Sequence, residues 1–283
     1  MENILKEMEM LRDQIRLLTL KELHQLGFGH YGGSLSIVEA LAVLYGGVMK
    51  IDSNNPKWED RDYFILSKGH GGPSLYATLA LKGFFSEAVL YTLNQNGTKL
   101  PSHPDRNLTP GVDMTTGSLG QGISAAVGVA LSHKLSNRQN NTYCIVGDGE
   151  LNEGQTWEAF QFAAHHRLNH LFVMVDDNKK QLDGPTKEII DPLDFAAKFK
   201  AFGFYTLRVD GSSLSEIYGA IEKGKAQKEK PVAIILDTVK GQGVPYLEKK
   251  ADNHHIRPSK EDEKAIQDAI CELEKKCGKA VIE

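Results

Sequence analysis

The chain has 283 residues, of which 41% are hydrophobic and 25% charged, with a formal net charge of -4. That is ample for a buried core and ordinary for a soluble globular protein, and the mild acidity offers no electrostatic footprint for nucleic acid or an anionic membrane. The three cysteines (Cys144, Cys271, Cys277) form no metal-type pairing, and their odd number argues against a disulfide framework. No apolar run approaches the roughly 20 residues needed to span a bilayer, and the charged N-terminus has no signal-peptide core. The expectation is a cytoplasmic protein.

In chain order, residues 3 to 26 carry apolar side chains at helical spacing (Ile4, Leu5, Met8, Leu11, Ile15, Leu18) and end near Gly27 and Gly29. A second helix is expected from a Ser36 cap to Met49. A short strand follows over Asp62 to Ser67, then a helix over Gly71 to Lys82 opened by Pro73. After an irregular stretch, Gly117 to Leu135 reads as a helix rich in glycine and alanine, whose small residues permit close packing against a neighbour. Tyr143 to Val146 and Leu171 to Val175 are continuously apolar and read as buried parallel strands, joined by a helix over Glu150 to Arg167. The alternation continues with a helix near Pro192 to Phe202, a strand over Tyr205 to Val209, a helix over Leu214 to Gln227 and a strand over Val232 to Leu236. Ser259 and Asp262 form a capping box for a last helix ending near Lys276. The pattern predicts a single α/β domain over residues 1 to 283, with a doubly wound, mostly parallel sheet and helices on both faces.

Two strand ends carry the strongest chemical signal. Gly147-Asp148-Gly149-Glu150 follows the first apolar strand, and Asn178 closes Val175-Asp176-Asp177-Asn178 after the next. Ligands of open α/β sheets sit at such strand ends. Asp148 and the Asn178 amide oxygen are hard ligands suited to Mg²⁺, which takes its remaining ligands from phosphate and water. The flanking glycines allow backbone to approach a diphosphate near a helix N-terminus. Each motif alone is also compatible with a tight turn or a helix cap.

Three histidines lie in Gly/Pro-rich turns: His30 in Gly29-His30-Tyr31-Gly32-Gly33-Ser34, His70 in Ser67-Lys68-Gly69-His70-Gly71-Gly72, and His103 in Pro101-Ser102-His103-Pro104-Asp105. Such turns present ligand contacts in α/β folds, and a neutral histidine can carry a proton near neutral pH. A zinc site is the competing reading. No pair stands at i, i+4 and no cysteine is near, which weighs against it.

Taken together, these motifs resemble the thiamine-diphosphate-binding N-terminal domain of transketolases over residues 10 to 255. Gly147-Asp148-Gly149 with Asn178 is similar to the family's thiamine signature. The resemblance implies Mg²⁺, with Ca²⁺ or Mn²⁺ as substitutes, held by Asp148, Asn178 and the backbone carbonyl of Lys180. It implies cofactor contacts from Gly147, Asp148, Gly149, Glu150, Asn178, His70, Lys240 of Thr238-Val239-Lys240-Gly241-Gln242-Gly243, and the Gly117-Ser118-Leu119 loop, where Ser replaces the family's Pro. His30, whose turn has Tyr31 for the usual Pro, is the implied proton-transfer group. His103 is implied to bind donor hydroxyls. His254, in Asn253-His254-His255, aligns with a family Trp-His pair. Glu153 and Glu158 match acidic residues at the family's subunit interface. Tyr31 beside the donor site is a place where an unusual sugar could be read.

The implied activity is transfer of a two-carbon ketol unit from a ketose phosphate to an aldose phosphate, with xylulose 5-phosphate the default donor and the pentose phosphate pathway the default setting. The chain stops before the family's pyrimidine-binding and C-terminal domains. The resemblance therefore implies an α2β2 assembly with a separately encoded C-terminal subunit. Alternatives are a deoxyxylulose-phosphate synthase-like or 2-oxo acid dehydrogenase-like thiamine enzyme, a non-catalytic binding module of the same fold, and a metal-dependent phosphohydrolase.

Overall fold

The computed structural model describes residues 2–280. Its helices are α1 (Glu2–Leu26), α2 (Tyr31–Leu35), α3 (Val38–Val43), α4 (Gly72–Leu81), α5 (Gln121–Leu135), α6 (Gly154–His165), α7 (Thr186–Ile189), α8 (Phe195–Ala201), α9 (Leu214–Ala226), α10 (Pro245–Lys249) and α11 (Lys260–Ala280). The strands are β1 (Tyr63–Leu66), β2 (Thr142–Gly147), β3 (Leu171–Asp177), β4 (Lys180–Gln181), β5 (Gly184–Pro185), β6 (Tyr205–Asp210) and β7 (Val232–Asp237). Five of them form one sheet in the order β1-β2-β3-β7-β6, every pairing parallel. β4 and β5 make a separate antiparallel hairpin directly after Asn178. The sequence did not foretell that hairpin, whose strands are two residues each.

β2 and β3 are buried along their whole length, because helices cover both faces of the sheet. Tyr143, Ile145, Phe172 and Met174 face a large core shared with α1, α3, α4 and α9, while Cys144, Val146, Val173 and Val175 face a second core under α5, α6 and α8. The doubly wound expectation therefore holds, and every β-to-loop exit on the central strands opens toward one edge of the sheet.

Several boundaries differ from expectation for physical reasons. The helix expected from a Ser36 cap begins instead at Tyr31, breaks near Ser36 and Ile37, and ends in a π-turn over Leu44–Val48. Two adjacent glycines read as a turn by propensity. Here they are required, since a Cβ on Gly32 would collide with the Asn253 carbonyl oxygen and one on Gly33 would lie 2.7 Å from the His70 ring. Ser36 does not cap; its hydroxyl donates to the Asp176 carboxylate at 2.7 Å. α5 starts at Gln121 rather than Gly117 because Gly120 takes a left-handed φ of 83°. The helix expected from Glu150 opens as a 3-10 turn over Gly149–Asn152 before α6. The stretch Tyr31–Val48 is long and apolar enough to cross a membrane, against the expectation that no such run exists, but 89% of it is buried inside the fold. It is core.

The Ser259–Asp262 capping box is present, with Ser259 N–H donating to Asp262 at 2.9 Å and Asp262 N–H to Ser259 Oγ at 3.3 Å. α11 runs on to Ala280 and packs on α1, where Lys276 meets Asp13 at 2.8 Å.

Two glycines of α5 give opposite expectations. A Cβ on Gly122 would fall 2.6 Å from Ser67 Cα, whereas one on Gly128 would meet nothing within 4 Å. Gly122→Ala is expected to destabilise the chain by about 1–3 kcal/mol through overpacking. Gly128→Ala is expected to stabilise it by roughly 0.5–1 kcal/mol. Urea melts of the two variants check both signs.

Candidate active site

The C-terminal ends of β1, β2, β3 and β7 surround a cavity of about 390 Å³, lined by His30, Lys68, His70, His103, Gly117, Leu119, Gly147, Asp148, Gly149, Glu150, Asn178, Lys180, Lys240 and His254, among others. Asp148 and the Asn178 amide both sit there because a parallel sheet delivers all its strand exits to one edge.

The floor is a buried ion pair that the sequence reading did not assign. Lys68, the second residue after β1, places its ammonium 2.6 Å from Asp176 Oδ2, with side-chain exposures of 1% and 0%. Asp176 also accepts from Ser36, Thr238 and, at 2.7 Å, the Asn178 amide nitrogen. Burial alone would push the Asp176 carboxyl up, but the Lys68 ammonium and the hydroxyl donors more than reverse this and hold it below the usual range. The clue was a lysine directly after a buried strand in Ser67-Lys68-Gly69-His70. With its nitrogen given to Asp176, the Asn178 amide keeps its oxygen for the cavity side, where it accepts from Lys180 N–H at 3.1 Å.

Asp148 Oδ1 accepts from Gly149 N–H at 2.8 Å, while Oδ2 is buried with no hydrogen-bond partner. Burial, with the Asp176 charge added, pushes this carboxyl up to about 7. An unpartnered buried carboxylate oxygen is costly unless something absent from the protein chain satisfies it. The Lys180 carbonyl already faces a cation, since the Lys240 ammonium lies 3.2 Å from it and 3.3 Å from the Gln181 carbonyl. Lys179 turns the chain here with a left-handed φ of 68°. The donor set of Asp148, the Asn178 oxygen and the Lys180 carbonyl therefore fits a hard divalent cation. Among the described residues no group of three His, Cys, Asp or Glu side chains is placed to hold a metal ion.

Glu150 ties the walls together. Its carboxylate accepts from Ser67 Oγ, from Gly120 N–H at 2.8 Å and from Gly147 N–H at 3.1 Å. Both its oxygens are thus engaged by the scaffold, and its role is to hold three loops in register. Gly117 brings backbone to within 2.8 Å of where a Cβ on Gly69 would stand, so the two loops touch main chain to main chain. Leu119 lines the cavity, while Ser118 is exposed beside it. Glu153 stands exposed at the cavity edge, and Glu158 is exposed on α6.

Above the floor the histidines cluster. The His30 ring centroid lies 5.7 Å from His70, 5.7 Å from His103 and 5.4 Å from His254, and His70 lies 5.0 Å from His254. Burial, with neighbouring His255 and the lysines, lowers His30 to about 4. Burial and Lys240 lower His254 to about 3, and its Nδ1 lies 3.0 Å from the Lys240 ammonium. Burial and Lys68 also crowd Lys240, lowering it to about 8. Tyr31 does not reach this space. Its ring is fully buried in the large core, which removes it as a reader of the sugar.

Fold and site define a parallel α/β domain whose strand ends set hard oxygen donors, lysines and a cluster of neutral imidazoles around one cavity. Residues 8–275 match the family model for the thiamine diphosphate-binding domain of transketolase. The chain is 52% identical to the 6-deoxy-6-sulfo-D-fructose transketolase subunit SqwG of a Clostridium species, over 92% of this chain and 94% of that one. It is 36% identical to an apulose-4-phosphate transketolase subunit of Phocaeicola vulgatus, over 87% and 88% of the two chains. The solved structure of transketolase from Leishmania mexicana superposes with a TM-score of 0.85 at 31% identity, over 97% of this chain and 45% of that one. The chain thus spans about half the length of that solved enzyme. It belongs to the transketolase family, as the thiamine diphosphate-binding N-terminal part, and its cofactor is thiamine diphosphate.

Two expectations follow. Asp148→Ala is expected to abolish metal-dependent binding of thiamine diphosphate; calorimetry showing wild-type affinity in the variant would remove Asp148 from the metal set. The second concerns pH. His30 and His254 are held neutral in the fold, whereas the unfolded chain protonates them near 6.5, so the unfolded state binds more protons between the two values. The contribution of these two histidines to stability is therefore lost as pH falls from about 6.5 toward 4. His254→Gln is expected to raise the thermal midpoint relative to the wild type more at pH 5 than at pH 7.5, which thermal melts at the two pH values check.

Proposed function

We propose that this chain is the N-terminal subunit of a two-subunit transketolase, which moves a two-carbon ketol unit from a ketose phosphate to an aldose phosphate. One observation carries the reading: neutral histidines, Lys240 and the unpartnered Asp148 oxygen converge on a single cavity. Asp148, Asn178 and the Lys180 carbonyl would hold Mg²⁺. His70, Lys240, the Gly117-to-Leu119 loop and the Gly147-to-Glu150 turn would hold the cofactor. When bound, thiamine diphosphate supplies the carbon nucleophile that accepts the two-carbon unit.

The chain's own residues orient and move protons. Lys68 is neutralised by Asp176, so Lys240 is left to favour a diphosphate. Burial first, and then the neighbouring cations, hold His30 neutral, and an arriving anion would offset those cations and raise its basicity. A neutral His30 then accepts the proton of the donor hydroxyl, with His103 and His254 placed to hold the remaining oxygens.

The partner in this reading is a separate subunit with the pyrimidine-binding and C-terminal domains. It would cover the cavity beside Glu153 and Glu158 in an α2β2 assembly in the cytoplasm. A second reading concerns the donor. The 52% identity to a subunit named for 6-deoxy-6-sulfo-D-fructose favours a sulfonated ketose over xylulose 5-phosphate.

Co-purification of the tagged chain, followed by assays of the complex with both donors, tests the assembly and the substrate together. Absence of a partner, or of thiamine-dependent transfer by the complex, would overturn the proposal. In that complex His30→Ala is expected to lower kcat by about a hundredfold or more while cofactor affinity stays unchanged; normal turnover would remove His30 from the mechanism.

A further inference from the structure

The histidine cluster has a fifth member outside the cavity lining. Gly29 and Ile256 form an isolated antiparallel bridge, with Gly29 N–H donating to the Ile256 carbonyl at 3.0 Å and Ile256 N–H to the Gly29 carbonyl at 2.9 Å. An antiparallel pair sets the next residue of one strand opposite the preceding residue of the other, on the same face. His30 and His255 therefore face each other. Their centroids lie 4.7 Å apart at 78°, closer than His30 comes to His70, His103 or His254.

The two rings differ in what they can do. His30 lines the cavity with His70, His103 and His254, whereas His255 is exposed at the rim, backed by Phe28 at 5.8 Å. Ile256 beside it is buried, so the bridge is anchored and the His255 ring is carried on fixed backbone. A sugar whose reacting carbons lie at His30 would have this exposed ring within reach of its polyol chain.

We propose that His255 is a specificity-determining residue: its imidazole hydrogen-bonds a hydroxyl of the sugar chain beyond the transferred two-carbon unit. This rests on the transketolase reading above. His255 takes no proton in the reaction; it fixes the polyol relative to His30 and so sets KM for the sugar. Hydroxypyruvate carries the transferable ketol carbons and no polyol chain, so it bypasses this contact.

The test uses the chain with its partner subunit, thiamine diphosphate and Mg²⁺. His255→Ala is expected to raise KM for the sugar donor about three- to tenfold, the loss of one hydrogen bond, with kcat within about twofold. The KM for hydroxypyruvate, the calorimetric cofactor affinity and the thermal midpoint are expected to stay at wild-type values, and His255→Gln to recover most of the sugar KM. An unchanged sugar KM in His255→Ala overturns the proposal, as does an equal rise in the KM for hydroxypyruvate. A fall in kcat matching that of His30→Ala also overturns it, since His255 would then be a proton carrier. If the wild-type complex transfers no ketol unit from any donor, the functional reading itself fails and this inference with it.

Discussion

The Lys68–Asp176 ion pair is the constraint on which the site depends. Neither side chain is more than 1% exposed, and the pair joins the end of β1 to the end of β3 across the intervening β2. Ser36 and Thr238 bring the break before α3 and the exit of β7 onto the same carboxylate. A buried charge is tolerated only when paired and hydrogen-bonded, and stripping one partner typically costs about 3–5 kcal/mol. The geometry is accordingly over-determined. Asp176 also takes the Asn178 amide nitrogen, so one carboxylate sets which end of that amide is left for a metal.

A second carboxylate repeats the logic one strand over. Glu150 collects Ser67, Gly120 and Gly147, from the end of β1, the start of α5 and the end of β2. Around these two anchors the loops approach so closely that side chains are excluded: Gly33 against His70, Gly69 against Gly117, and Gly149 against Gln181, where a Cβ would stand 2.8 Å from the Gln181 Cβ. Stability and function draw on the same contacts here. The loops that would meet the cofactor are rigid because the sheet edge beneath them is locked.

On the α1 side a further network steadies Lys240. Arg16 donates to Glu39 at 2.6 Å, and Gln242 donates to the other Glu39 oxygen at 2.8 Å. Gly243 sits against the Arg16 guanidinium with a φ of 82°. The Lys240 ammonium is thereby held over the Lys180 and Gln181 carbonyls, close to His254. The Lys240 cation and the neutral rings above it make a basin that favours an anion below and leaves imidazoles free to exchange protons.

Much of this was legible in the sequence, because strong local patterns carry it. Continuous apolar runs announced β2 and β3, the period of 3.6 announced α1, and Ser259 with Asp262 announced the start of α11. Gly147-Asp148-Gly149, Asn178 and the three histidine turns marked residues that the fold brings to one cavity, although each motif alone would pass for a turn or a cap. What the sequence could not carry was any choice made by residues far apart in the chain. Tyr31 sits beside His30 yet points into the core, and Ser36 looks like a helix cap yet serves Asp176, 140 residues away. Lys68 pairs across 108 residues, and His255 meets His30 through a two-residue bridge that no periodicity encodes. Local spacing determines which elements form and which strand ends carry ligands. Only the packing of those ends against one another decides which side chains face the cavity, because burial and hydrogen-bond satisfaction are properties of the assembled fold.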